Sequence, residues 1–347
     1  MKPTPPENAG HVRVPVAAIL QVAQAALQAA GCDAPNAQAV ATVMARAEAD
    51  GASSHGLFRL PGYLAALRSG KVDGRARATV SPLAPAVLRV DGHGGFAPLA
   101  MQVARTALAA QARQQGMAAA AVRHVHHFSA LWVDIEPLVK SGLVALCFTA
   151  YLPTVAPHGS RQPFFGTNPM AFGWPRPDGG TMIFDQASAA MARGEIQIAA
   201  RDGRSVPPGA GIGPDGAPTT DPAQILQGAQ LPFGGHKGSA IALMVELLAA
   251  GLIGQPFSDE AARADNRDGG PPSGGVLLIA LDPACFGDAA GWQAHCEAFF
   301  ARLLDLDGVR LPGDGRARHR ARVARDGATL PIDLWREALA AAAAPLA

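Results

Sequence analysis

The chain is short of charge and has no surplus of either sign. Of its 347 residues 16% are charged, and 29 Lys+Arg against 28 Asp+Glu leave a formal net charge of +1. Without a basic excess, neither a nucleic-acid nor a membrane-surface partner is expected. Cysteine is sparse and scattered: Cys32, Cys147, Cys285 and Cys296 form no Cys-x-x-Cys pair. That spacing excludes the usual zinc and dithiol motifs, so no metal site is expected, and it implies reduced thiols and hence the cytoplasm. No apolar signal core opens the chain at Met1–Glu7. The most apolar stretch, Gly238 to Gly254, carries Glu246 and falls short of the ~20 residues of a spanning helix. What the chain does have is 49% hydrophobic residues, enough for a large core and two or more lobes.

Periodicity and punctuation organise the chain. Residues 1 to 13 read as a frayed tail. Pro15 opens a helix whose apolar positions Ile19, Leu20, Ala23, Leu27 and Ala30 recur at helical spacing until Gly31. Asp33 is a good N-cap for a second helix that ends near Asp50-Gly51, and a third is expected over about Leu57 to Arg68. Val87 to Val90 reads as a strand entering a turn at Asp91-Gly92-His93-Gly94-Gly95, with a long helix from about Pro98 to Gln115. Met117–Val122, Leu143–Thr149, Met170–Phe172, Thr181–Phe184 and Gly275–Leu281 read as strands. Helices are expected over about 130–141, 188–200, 239–252, 292–304 and 333–343. Residues 201 to 232 read as loop and 257 to 274 as flexible.

Several clusters could carry chemistry. Ser54-His55-Gly56 with Arg59 gathers a hydroxyl, an imidazole and a guanidinium just past a helix C-terminus. Imidazole passes protons near neutral pH, and guanidinium grips a carboxylate through two parallel hydrogen bonds. The group therefore suits a small carboxylic acid that gains or loses a proton. Gly234-Gly235-His236-Lys237-Gly238 precedes a helix and could cradle a phosphate on its free N–H groups. Arg316 beside Gly315 is a second candidate for an anion. From Arg318 through Arg320, Arg322 and Arg325 the chain reads as a solvated basic face. Gly211-Ile212-Gly213-Pro214-Asp215-Gly216 matches Gly-x-Gly-x-x-Gly only formally, because prolines flank it where a strand and helix are required. His124 and His126 would share a strand face, yet no carboxylate or cysteine stands at a ligand spacing from them.

Taken together, these pieces resemble the malate/L-lactate dehydrogenase-like family of nicotinamide oxidoreductases over about residues 12 to 340. The carriers are Ser54-His55-Gly56 with Arg59, Asp91-Gly92-His93-Gly94-Gly95, His127-Phe128-Ser129-Ala130-Leu131, Phe165-Gly166-Thr167-Asn168-Pro169, Pro232 to Gly238 and Leu311-Pro312-Gly313-Asp314. Within that family the chain looks most like the Δ1-piperideine-2-carboxylate/Δ1-pyrroline-2-carboxylate reductases, chiefly through His126 to Trp132. Relatives that act on hydroxy acids usually have glycine where Ser129 stands, and tyrosine in place of His236.

The resemblance implies a mixed α/β fold that is not Rossmann. A helical lobe would come from residues 12–75 and the C-terminal helices, and a sheet-containing cofactor and substrate lobe from residues 76–282. It implies that His55 donates a proton, oriented through Ser54, that Arg59 binds the substrate carboxylate, and that Thr167 lines the pocket. Glu195 stands where the reductases carry a relay aspartate; glutamate keeps the charge on a side chain one methylene longer. The resemblance places NADPH against His127, Phe128, Ser129, Ala130 and Leu131, against Asp185, Gln186 and Ala187, and against His236 and Lys237. Leu311, Pro312, Gly313, Asp314, Gly315, Arg316 and Ala317 complete that set. The implied reaction is reduction of a cyclic imine acid to L-pipecolate or L-proline, by a homodimer.

The residues leave two other readings open. His55 and Arg59 serve a 2-oxo acid as well as an imine acid, so a malate- or lactate-type hydroxy-acid dehydrogenase is the alternative. A binding protein that keeps the fold without catalysis would be supported by Glu195, and opposed by Ser54, His55, Arg59 and Lys237 occurring together.

Overall fold

The structure, a computed structural model, describes residues 10–345. It opens with β1 (His11–Val14), α1 (Val16–Ala29), α2 (Ala34–Ala49) and α3 (Leu60–Arg68). Then come β2 (Thr79–Ala84), β3 (Val87–Phe96), α4 (Ala97–Gln115), β4 (Met117–His126), α5 (Leu131–Lys140) and β5 (Val144–Thr149). The middle holds β6 (Met170–Pro175), β7 (Thr181–Gln186), α6 (Arg193–Arg201), β8 (Gly211–Ile212), β9 (Pro218–Thr219), α7 (Pro222–Gln227) and β10 (Ala229–Gln230). The chain continues through α8 (His236–Glu246), α9 (Ser258–Ala264), β11 (Ser273–Leu281), α10 (Trp292–Leu304), α11 (Asp314–Asp326), β12 (Ala328–Pro331) and α12 (Ile332–Ala342).

These elements form two compact units. One takes the described chain up to Arg75, Asp268–Gly270, and the chain from Gly315 onward. Its helices α1 and α2 pack together, with α12 against α1. Ile19, Ala23 and Leu27 on α1 and Val40, Met44 and Ala47 on α2 are buried, so the apolar spacing read from the sequence faces inward. Asp33 caps α2 by accepting the Asn36 N–H at 3.1 Å. The segment read as a frayed tail is ordered from Gly10, because β1 pairs antiparallel with β12, His11 opposite Pro331. A strand whose partner lies at the far end of the chain leaves no local signature. The expected tail up to residue 9 lies outside the described residues.

The other unit, Ala76–Arg267 with Pro271–Asp314, is built on a seven-stranded sheet of order β2-β3-β4-β11-β5-β6-β7. Only β3 and β4 run parallel, joined through α4; every other neighbouring pair is antiparallel. A Rossmann sheet is parallel, with helical crossovers on both faces. This sheet is therefore of another kind, and the fold is the expected mixed α/β, non-Rossmann one. Helix α5 packs on β5, β6 and β7, while α8 and the π-turn after it (Leu247–Gly251) pack on β5 and β11. Phe148, Val245, Ala249 and Leu277 form a buried cluster there. Residues 211–216 enter β8 of a small three-stranded sheet and open no helix, so the formal dinucleotide fingerprint is accidental.

Other expectations need correction. The Asp91–Gly95 turn is part of β3, whose register with β4 shifts between Asp91 and Gly95. His124 sits at φ +52, which breaks the strict alternation that would have paired it with His126. His124 Nδ1 instead meets Asp91 at 3.0 Å, and His126 Nδ1 meets the Pro271 carbonyl. The helix expected from Ser188 begins at Arg193, because Ala189 forms a bridge with Pro232. Residues 257–274 contain helix α9 and an anchored aspartate. Burial alone would raise the Asp268 carboxyl, but hydrogen bonds from Lys71 and Ser69 prevail and bring it down to about 2.

Candidate active site

Helix α2 ends in a carboxylate, Asp50, and the chain reverses at Gly51 (φ +77). A 3-10 turn over Ser53–His55 and a second over Leu57–Arg59 then lead into α3. Ser54 is 3% exposed. Its Oγ lies 3.2 Å from His55 Nδ1, and its carbonyl accepts the Arg59 Nε–H at 2.7 Å. The Arg59 guanidinium also lies over the Phe58 ring, 5.4 Å from its centre. One buried serine thus holds both the imidazole and the guanidinium. The three side chains picked out from the sequence are neighbours in fact.

Two anchors beneath this loop escaped the sequence reading. Glu48, 2% exposed, accepts the Leu57 N–H at 2.9 Å through Oε1 and the Ser53 hydroxyl at 3.1 Å through Oε2. Burial pushes its carboxyl up to about 7, against the lowering effect of those two hydrogen bonds. Asp50 is gripped by Arg320 of α11 at 2.6 and 2.8 Å and by Arg46 of its own helix at 3.2 Å. His319 Nδ1 donates to the Ala49 carbonyl at 3.0 Å. So part of the run read as a solvated basic face is bound to the end of α2. One signal was available in the sequence: a carboxylate at a helix C-terminus opposes the macrodipole and calls for a cation.

In the sheet unit, residues 127–131, 236–237 and 311–314 converge on β7 and the chain just beyond it, which holds the fourth segment expected at a cofactor. His127 to Leu131 are all buried, leading into α5. His127 Nε2 lies 3.5 Å from Asp134, itself 1% exposed and paired with Arg105 at 3.2 Å. Ala130 offers α5 no side-chain cap; Asp185 on β7 supplies one by accepting the Trp132 N–H at 3.1 Å. Ser129 Oγ is buried without a hydrogen-bond partner among the described residues. Ser188, just past Gln186 and Ala187, gives its carbonyl to the Phe233 N–H at 3.0 Å, which brings the glycine-rich turn alongside. Pro312 accepts the Ile183 N–H, so residues 311–314 also dock on β7.

The glycine-rich turn needs its glycines. Gly234 and Gly235 have φ of +56 and +61, and a Cβ on Gly238 would lie 2.3 Å from the Phe233 carbonyl. Lys237 follows in the first turn of α8, exposed and with no ion-pair partner among the described residues. His236 is exposed beside it, 6.1 Å from the His158 ring.

Thr167 is half-buried in a loop that Asn168 pins from below. Asn168, fully buried at φ +41, donates to Glu246 at 2.8 Å and to the Ala242 carbonyl at 3.0 Å. Glu246, the charge in the most apolar stretch of the chain, is thereby a loop anchor. Glu195 stands in the first turn of α6, half-buried, its carboxylate without a partner among the described residues. Gly315, Arg316 and Ala317 lie on the first turn of α11.

Comparison with known proteins identifies the family and the fold. The family model described as malate/L-lactate dehydrogenase matches residues 14–338. The Δ1-pyrroline-2-carboxylate reductase of Ancylobacter novellus is 50% identical over 328 residues, 94% of this chain and 96% of that protein. The Δ1-pyrroline-2-carboxylate/Δ1-piperideine-2-carboxylate reductase of Pseudomonas aeruginosa is 49% identical, over 87% of this chain and 91% of that one. The crystal structure of the Δ1-piperideine-2-carboxylate reductase from Pseudomonas syringae pv. tomato superimposes with a TM-score of 0.90 at 42% identity, covering 95% of this chain and 99% of that chain. With a non-Rossmann sheet and a Ser-His-Arg loop, the class is a dehydrogenase-type oxidoreductase. The chain belongs to the malate/L-lactate dehydrogenase family.

Among the described residues, no helix is long and apolar enough to cross a membrane.

Proposed function

We propose that the protein reduces a cyclic imine carboxylate with NADPH, taking Δ1-piperideine-2-carboxylate to L-pipecolate and Δ1-pyrroline-2-carboxylate to L-proline. The observation that carries this reading is the shared serine. Ser54 engages His55 through its hydroxyl and Arg59 through its carbonyl. A proton donor and a carboxylate-binding cation are thereby oriented by one residue. The names of the two reductases that match at 50% and 49% identity support an imine acid as the substrate class.

In this reading Arg59 takes the substrate carboxylate, and Thr167 lines the pocket. With Nδ1 turned to Ser54, His55 delivers its proton from Nε2 to the substrate nitrogen. Glu195 fills the place of the relay aspartate, its partnerless carboxylate being available for that role. Positioning and general acid catalysis are what these residues contribute.

The chain also fits a dinucleotide. Ser129 Oγ is a buried hydroxyl in want of a partner, and the Gly234–Gly235 turn leaves backbone and Lys237 open to a phosphate. NADPH, when bound, supplies the hydride that the substrate carbon accepts. His127 to Leu131, Asp185 to Ala187, His236, Lys237 and Leu311 to Ala317 would hold it. Lys237 and Arg316 suit the extra phosphate of NADPH over NADH. His127 and Asp185 would act through the backbone they fix, since Asp134 and the α5 N-terminus occupy their side chains. A cytoplasmic homodimer completes the proposal, supported by the resemblance and by four free cysteines.

The test is to follow NADPH absorbance with a cyclic imine acid, pyruvate and oxaloacetate in parallel. Turnover on the imine acid is expected to dominate. Turnover on the oxo acids alone would assign the hydroxy-acid reaction instead.

A further inference from the structure

We infer that Glu48 is a positioning residue for the reaction: its carboxyl, seated against Gly56, sets the 53–57 loop so that Ser54 and His55 meet. The inference rests on the reading of His55 as the proton donor. Three observations carry it. First, Glu48 engages the loop on both sides of Ser54–His55, at the Ser53 hydroxyl and at the Leu57 N–H. The three residues between those anchors, Ser54, His55 and Gly56, therefore cannot shift without breaking one of them.

Second, Gly56 makes room for this side chain. Its φ of −88 with ψ of −142 lies outside the broad β and α regions, so the backbone itself favours glycine there. Space demands it as well: a Cβ on Gly56 would lie 2.0 Å from Glu48 Oε1 and 2.3 Å from Cδ. The glycine of the Ser-His-Gly motif is thus paired with the glutamate six residues before Ser54.

Third, Glu48 borders open space on its other side. It borders a cavity of 390 Å³ shared with Ser53, Arg13, His319, Arg322 and Asp326. The charged and titratable groups among these are Arg13 from β1 and His319, Arg322 and Asp326 from α11. If the two hydrogen bonds were lost, the side chain would have room to swing into that cavity and the loop would follow. A shift of about 1 Å in a reacting group is worth roughly a hundredfold in rate.

The experiment compares Glu48→Ala, Glu48→Gln, Gly56→Ala and the double variant Glu48→Ala/Gly56→Ala in the intact enzyme, assayed well below each melting temperature. Glu48→Ala is expected to lower kcat by roughly ten- to a hundredfold. Glu48→Gln, which can still accept the Leu57 N–H, is expected to recover most of that loss. Gly56→Ala should lose activity as Glu48→Ala does, while the double variant should lose less than the sum of the two, since removing the carboxyl removes the clash and leaves only the backbone strain at Gly56. Histidine NMR should show the His55 titration moved in Glu48→Ala and near parental in Glu48→Gln. A folded Glu48→Ala enzyme with parental kcat and an unmoved His55 titration would overturn the inference, as would additive losses in the double variant. The outcome is separable from the reading beneath it: near-parental turnover by His55→Ala would remove His55 from the chemistry, and the His55 titration in Glu48→Ala would still decide whether Glu48 positions the ring.

Discussion

Arg320 closes two hydrogen bonds, of 2.6 and 2.8 Å, on the carboxylate of Asp50, 270 residues earlier in the chain. The Asp50 side chain is wholly removed from solvent and sits at the end of α2, where the helix dipole disfavours it. The pair fixes where the Ser-His loop begins. Replacing Arg320 with leucine leaves a buried charge without its bidentate partner. Such losses run to about 3 kcal/mol. Urea denaturation should show a drop of that order, partly restored by adding Asp50→Asn. A change under about 0.5 kcal/mol would class the pair with ordinary surface bridges.

Glu48 should make stability fall as pH rises. Its carboxyl is raised from 4.5 to about 7 by burial, so the folded state binds the proton more tightly than the unfolded chain. The stability this group contributes is fully present below about 4.5 and is lost as pH rises through about 7. Glu48→Gln cannot ionise and lacks that slope. Between pH 4 and pH 8 the glutamine variant should gain roughly 3 kcal/mol relative to the parent. Parallel stability curves for the two proteins would show that Glu48 titrates normally.

His55→Ala should nearly abolish turnover while NADPH still binds. Loss of a general acid costs ~10²–10⁴-fold, and His127–Leu131 and the Gly234–Gly238 turn are untouched by the change. Fluorescence titration of the cofactor beside steady-state assays separates the two effects. Near-normal turnover would take His55 out of the mechanism.

Arg59→Lys should weaken substrate binding strongly. Lysine can reproduce neither the bidentate grip nor the Nε–H bond to the Ser54 carbonyl. The expected signature is a higher KM together with a lower kcat. If both constants stay at parental values, Arg59 has no part in holding the substrate.

Lys237→Ala should weaken NADPH much more than NADH. A charge-assisted contact is worth ~1.5–3 kcal/mol, or roughly ten- to a hundredfold in Kd. Lys237 is exposed, so the difference should shrink at high salt. Equal losses for the two cofactors in calorimetry would mean that Lys237 does not read the extra phosphate.

Most elements were legible because their signals are local. Helices α1, α2, α4 and α10 follow from apolar residues at helical spacing and from Asp33 and Gly31 at their ends. Strands β5, β6 and β7 follow from short apolar runs between glycines and prolines. The candidate site was legible where its members are close in sequence: Ser54, His55 and Arg59 fall within six residues, and the turns between them bring them into contact. The failures have a common cause. Strand β1 needed β12, the start of α6 moved because Ala189 bridges Pro232, and Asp268 is held by Lys71 and Ser69. Each partner is remote in the chain.

By itself, then, the sequence determined the chemistry on offer: an imidazole, a guanidinium and a hydroxyl in one loop, a lysine behind two glycines, and no metal-ligand spacing. Residue identity and short-range backbone geometry suffice for that. Tertiary structure alone decided which carboxylates hold the loop. Glu48 and Asp50 read as unremarkable residues near the end of a helix, and Arg320 as a solvated charge. Their roles come from burial, which makes an unpartnered carboxylate costly, and from folding, which supplies the partners at distances no periodicity encodes.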